Sequence, residues 1–239
     1  VEQSPHEIIH QADLELVNQQ WEVALDLYNR ALALLGHAAD PNLLAEAHNG
    51  RGVALLEEGR YGEAIKALEN AVLLKPDLAG AYYNLGLAWE GMGNAETALF
   101  NYSRSLELEP QDAEAYFRRG GVYFGLGQFE KTVEDAGKAI ELHQGQAEEA
   151  ATGPYIARGL ALHQLQRYNE ALADYNAAIK ADPREAVEAF FYRGLVYIDK
   201  GEVLPAHADL QAYLTLTDDL DGVLAVQARE IIGELEKQK

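Results

Sequence analysis

A chain of 239 residues with 48% hydrophobic side chains has ample apolar material for a sizeable core. Nineteen Lys and Arg against thirty-nine Asp and Glu give a formal charge of −20, which argues against nucleic acid, since affinity for phosphate backbones comes largely from Lys and Arg. No cysteine is present, so disulfides and thiolate metal sites are excluded, and no apolar run reaches the roughly eighteen residues of a direct membrane span. The acidity suits basic partner segments as well as a well-solvated helical surface. The compartment is not fixed by these features. The cytoplasm is the default expectation, and because the chain begins at Val rather than Met, a leader or lipid anchor upstream of residue 1 stays open.

In chain order, Ile8, Ala12 and Leu16 recur at helical spacing and Trp21, Ala24, Tyr28 and Ala31 form a second stripe, so residues 5–35 predict a helix pair. GHAADPNLL, residues 36–44, reads as a Gly/Pro/Asn loop or a slight helix extension. Residues 45–78 carry Gly52, Leu55, Ala64, Leu68, Ala71 and Pro76. Thirty-four residues on, 79–112 repeats that order: Tyr82, Leu85, Gly86 and Trp89, a break at Gly93-Asn94, then Ala98, Tyr102 and Ser105 up to Pro110. Residues 113–144 keep the step with Tyr116, Gly120, Tyr123 and Ala139, but place Thr132 and Ala136 where Ala and an aromatic are expected, and Gln144 where Pro is. An insertion in HQGQAEEAAT, residues 143–152, lengthens a loop or helix end. Residues 152–185, with Tyr155, Gly159, Leu162, Ala171, Tyr175, Ala178 and Pro183, and 187–217, with Phe190, Gly194, Tyr197, Ala206 and Leu210, complete the series. Leu220, Val223, Leu224, Ala228, Ile231 and Leu235 then form the stripe of a lone amphipathic helix over 219–237, expected to cap the array.

Two finer patterns ride on this repeat. Small residues at Gly52, Gly86, Gly120, Gly159 and Gly194 fall where the two helices of a pair would cross closely, and a larger side chain there would overpack the contact by about 1–3 kcal/mol. Arg119, Arg158 and Arg193 immediately precede three of these glycines, and Asp135, Asp174 and Asp209 lie sixteen residues after them. That offset predicts structural ion pairs Arg119–Asp135, Arg158–Asp174 and Arg193–Asp209 between paired helices.

One stretch carries the letters of a catalytic motif. His6-Glu7-Ile8-Ile9-His10 matches H-E-x-x-H, whose histidines can hold zinc while the Glu acts as general base. Only five residues precede it, and no further ligand is evident, so a zinc peptidase is the remote alternative. The remaining histidines show no nucleophile arrangement, and the glycine clusters do not follow a strand as a phosphate loop must. No catalytic residue, metal site or cofactor is expected.

The order aromatic, Leu-Gly, aromatic, Ala, aromatic, small residue, Pro over thirty-four residues resembles the tetratricopeptide repeat, and the Arg–Asp pattern is similar to that of many bacterial members. The resemblance implies an all-α fold, a right-handed α-solenoid of about six helix pairs and a capping helix, forming a single superhelical domain over 1–239. It also implies a protein-interaction scaffold or adaptor, with partner peptides lying on a concave face lined by the first helices. Projected here, that face consists of Asn49, Val53, Tyr83, Asn84, Leu87, Phe117, Arg118, Phe124, Ile156, Leu160, Phe191 and Tyr192, with Glu46, Glu114, Ala157 and Leu195 beside them. The family's carboxylate clamp for chaperone C-termini is matched only at Asn84 and Arg118; Asn49, Val53 and Glu114 stand where its Lys, Asn and Lys are expected. The expected partner is a protein or peptide. Self-association through the groove or a terminal unit is the structural alternative.

Overall fold

The structure, a computed structural model, describes residues 3–36, 40–143 and 152–237, and among them it contains thirteen α-helices and no strand. They are α1 (Pro5–Val17), α2 (Trp21–Leu35), α3 (Pro41–Glu57), α4 (Tyr61–Leu74), α5 (Ala79–Gly91), α6 (Ala95–Leu108), α7 (Ala113–Gly125), α8 (Phe129–His143), α9 (Thr152–Gln164), α10 (Tyr168–Ala181), α11 (Val187–Asp199), α12 (Val203–Leu216) and α13 (Val223–Lys237). None is long and apolar enough to cross a membrane.

The helix ends follow from local chemistry. Ser4 caps α1 reciprocally: its Oγ accepts from Glu7 N at 3.3 Å while the Glu7 carboxylate accepts from Ser4 N at 2.7 Å. Asp40 caps α3 and Pro41 opens it, so residues 41–44 belong to the helix and α3 is four residues longer than α5. Residues 37–39, and 144–151 of the second insertion, lie outside the described residues. The turn inside each hairpin is made by one left-handed residue. Gly59, Gly93, Gly127 and Gly201 take φ of 69°, 74°, 70° and 75° there, and Gln19 and Gln166 take the same conformation at 59° and 58°.

The chain divides into two compact units, Val1–Ala115 and Tyr116–Lys239. In the first, α1–α2, α3–α4 and α5–α6 are hairpins, and α1, α3 and α5 also pack side by side, forming a layer of first helices. Its core runs from Ile8 and Tyr28 through Leu55 and Leu68 to Leu85 and Ala88. In the second, α9–α10 and α11–α12 are hairpins, α9 touches α11, and α13 packs on α12.

The terminal helix differs from its predicted stripe. Ala225, Ala228 and Leu235 are buried, with Leu224, Ile231 and Ile232 packed beside them, whereas Val223 is 73% and Leu220 48% exposed. The helix begins only at Val223, so Leu220 lies in the preceding turn and the buried stripe starts one residue later.

Candidate functional site

The crossing of paired helices is built from a glycine and the residue sixteen positions on. A Cβ added at Gly52 would lie 2.5 Å from Leu68, at Gly86 2.5 Å from Tyr102, and at Gly159 2.7 Å from Tyr175. The large side chain of the second helix thus occupies the space a first-helix side chain would need. Hairpin α7–α8 is filled differently: Ala136 leaves room, and Thr132, fully buried, donates its hydroxyl to Gly120 O at 3.1 Å.

One step before Gly120, Gly159 and Gly194, the structure places Arg and Asp together. Arg119 Nε and Nη2 donate to the two oxygens of Asp135, both at 2.8 Å; Arg158 does the same to Asp174 at 2.8 and 2.7 Å, and Arg193 to Asp209 at 2.7 and 2.6 Å. The carboxylates are buried and the guanidinium groups mostly so. Each guanidinium is pushed above its ordinary pKa by hydrogen bonding to its carboxylate, with burial opposing. Arg119 also lies against Tyr116, Arg158 against Tyr155 and Arg193 against Phe190, at 5.5–5.8 Å to the ring centroids. These arginines are committed to the scaffold.

Most side chains expected on the first-helix face are half-buried: Asn49, Val53, Tyr83, Asn84 and Leu87 in the first unit, and Phe117, Phe124, Ile156, Leu160 and Tyr192 in the second, where Arg118 is exposed. Asn84 Nδ2 donates to Asn49 Oδ1 at 3.0 Å, joining α3 to α5. Tyr83 packs at 5.9 Å from Tyr102, Phe124 edge-on to Phe129 at 5.4 Å, and Tyr192 stacks on Tyr175 at 6.3 Å. Phe191, expected on this face, lies in the core instead. It is 2% exposed and shares a core with Tyr213, Ala225 and Ala228, so it anchors the end of the second unit instead of offering surface.

Side chains outside that expected set also pack against the first helices. Tyr28 projects from α2 past Gly50 of α3, where an added Cβ would lie 2.3 Å from its ring, and its hydroxyl donates to Asp13 of α1. Tyr102 passes Gly86 and donates to Glu90 Oε2 at 2.6 Å. Tyr175, at the same register, is fully buried with no partner for its hydroxyl. In the second unit His163 Nε2 lies 2.7 Å from Asp199 Oδ2, linking α9 to α11. Recurrence of Tyr at 28, 102 and 175 was the available signal; the acceptors vary in spacing and gave none.

The H-E-x-x-H letters have a structural use. Glu7 is the capping partner of Ser4, whose backbone and side-chain hydrogen bonds hold its carboxyl below the usual range. Ile8 and Ile9 are buried in the core. Among the described residues, no three His, Cys, Asp or Glu side chains converge as a metal-holding group.

Models of the TPR repeat match residues 52–93 and 159–201, and of the tetratricopeptide repeat 79–112 and 113–146, together more than half of the chain. A stretch of 73 residues is 38% identical to the Hsp70-Hsp90 organizing protein of Triticum aestivum, covering 29% of this chain and only 13% of that protein. Among solved structures, a tetratricopeptide repeat protein from Parabacteroides merdae is 20% identical with a TM-score of 0.72, over 99% of this chain and 98% of that one. YrrB, described as a TPR protein with an unusual peptide-binding site, is 21% identical with a TM-score of 0.65, over 78% and 92%.

Proposed function

We propose, since the chain belongs to the tetratricopeptide repeat family, that it is a non-catalytic adaptor or assembly scaffold holding a segment of another protein on its first-helix faces. The observation that carries this is the Asn49–Asn84 pair, with half-buried Val53 and Leu87 one turn further along α3 and α5. Their mutual bond uses one Asn84 hydrogen and one Asn49 lone pair. The remaining donor on Asn49 and acceptor on Asn84 match what an extended peptide backbone offers. The peptide-binding site named for YrrB supports the reading at the level of fold. The likeness to the organizing protein does not extend it to chaperone C-termini, because Val53 and Glu114 stand where the clamp takes Asn and Lys.

Photo-crosslinking in cells tests the proposal. A crosslinker at Leu87, Phe117 or Leu160 should capture a defined partner, and Phe117→Ala with Arg118→Glu should weaken binding to the partner captured from position 117. Equal capture from exposed second-helix positions Leu73 and Phe100 would overturn it.

A further inference from the structure

The first helices of residues 1–115 combine three features on one layer. Glu46, Asn49, Val53 and Glu57 fall at i, i+3, i+7 and i+11 of α3, a single stripe whose two carboxylates are exposed. Tyr83, Asn84 and Leu87 form the matching stripe of α5, followed one turn later by exposed Glu90. The Asn84–Asn49 hydrogen bond at 3.0 Å joins the stripes into one surface, apolar and amide-bearing at its centre and acidic at its margins.

Charge of the other sign is nearly absent from these helices. Across α1, α3 and α5, Glu7, Asp13, Glu15, Glu46, Glu57 and Glu90 are opposed by one cation, Arg51. Arg51 adjoins Gly52, which meets Leu68 of α4, so it belongs to the hairpin crossing and not to the stripe. Two of the carboxylates are fixed in place by phenols, Asp13 by Tyr28 and Glu90 by Tyr102. Elsewhere in this unit three acids are held by arginines: Arg60 holds Glu58 and Glu63, and Arg104 holds Glu107. Among the described residues of α1, α3 and α5, the one Lys or Arg is Arg51.

We infer that this layer takes an extended partner segment that presents Lys or Arg together with apolar residues on one face. The inference rests on the scaffold reading above and names the chemistry of the partner. Extended backbone serves the asparagine pair, apolar side chains cover Val53 and Leu87, and cations on the same face of the segment meet Glu46, Glu57 and Glu90 at the margins. An acidic segment would instead bring like charges together on this face.

Fluorescein-labelled twelve-residue peptides repeating Leu-Leu-Lys-Lys, Leu-Leu-Gln-Gln or Leu-Leu-Glu-Glu, so that each face of the extended chain carries both residue types, titrated into the full chain, test this. The Lys peptide should bind about tenfold tighter than the Gln peptide at low salt, an advantage that disappears as the ionic strength rises to about 0.5 M. The variant E46K/E57K/E90K should lose the preference, while E22K/E69K/E96K, with the same change in net charge placed on second helices, should keep it. If the triple variant does not fold, E46K/E57K carries the comparison. Equal loss in both variants would overturn the inference in favour of bulk charge. Equal binding of Lys and Gln peptides would overturn it and leave the scaffold reading standing. No binding by any peptide would overturn it too, and the crosslinking experiment would then decide the scaffold reading by itself.

Discussion

Arg158 and Asp174 hold each other through two parallel hydrogen bonds, of 2.8 and 2.7 Å, across the crossing of α9 and α10. The Asp174 side chain is 6% exposed and that of Arg158 27%, so removing the carboxylate strands a cation that water reaches only in part. Asp174→Ala should cost about 2–3 kcal/mol in urea unfolding. Glu170→Ala, which breaks the exposed pair with Arg167, should leave the midpoint unchanged. A loss below about 1 kcal/mol for Asp174→Ala would mean that water replaces the carboxylate.

Glycines on first helices should respond oppositely to alanine. Gly86→Ala drives a Cβ to 2.5 Å from the Tyr102 ring, and should destabilise by about 1–3 kcal/mol. Gly121 is exposed on α7 with nothing within 4 Å, so Gly121→Ala should stabilise by up to about 1 kcal/mol through helix propensity alone. Thermal unfolding of the two variants decides it, and similar shifts would remove the packing explanation.

The three tyrosines at one register differ in what their hydroxyls meet. Tyr28→Phe and Tyr102→Phe each delete a hydrogen bond to a carboxylate and should cost about 1–2 kcal/mol, since Asp13 and Glu90 are themselves exposed. Tyr175→Phe removes a buried hydroxyl that has no partner, and should be neutral or stabilising. A cost for Tyr175→Phe matching the other two would show that its hydroxyl is satisfied in solution.

Stability should decline at both ends of the pH scale for identifiable reasons. Burial, and then the nearby Arg51, pushes the His48 pKa down, so below the ordinary value of about 6.5 the unfolded chain binds the proton that the folded one refuses. Stability therefore falls as pH drops below about 6.5, and His48→Gln should flatten that arm. Burial pushes the phenols of Tyr28, Tyr175 and Tyr192 up, so above about pH 10 the unfolded chain releases protons that the folded one keeps. Denaturation midpoints measured from pH 5 to 11 check both slopes, and the alkaline one should shrink in Tyr28→Phe.

Much of the scaffold was legible because its determinants are local or fixed in offset. A glycine followed sixteen residues later by Leu or Tyr, and an Arg–Asp pair in the preceding register, can be read from the letters because a short turn dictates which positions face each other. Thr132 looked like a departure from the repeat, yet it compensates for Ala136 by bonding Gly120 O, an interaction that no pattern of residue size announces. Phe191 shares its register with the half-buried Phe117 and Ile156 and differs from them only because α13 closes over it after an irregular connection. The tyrosine acceptors were hidden for another reason. Asp13 lies fifteen residues before Tyr28 and Glu90 twelve before Tyr102, so the same phenol position finds its oxygen on different turns of the preceding helix.

Tyr28 leaves α2, passes the bare backbone of Gly50 in α3 and ends on Asp13 of α1, so one side chain spans three helices and two hairpins. Excision of α1 would strand a phenol inside what remains, and exchange of α3 for another first helix would drive a side chain into its ring. The first hairpin is therefore not an interchangeable module. A transplanted or truncated array must break after α4 or later, or carry Phe at position 28 and Gly at position 50.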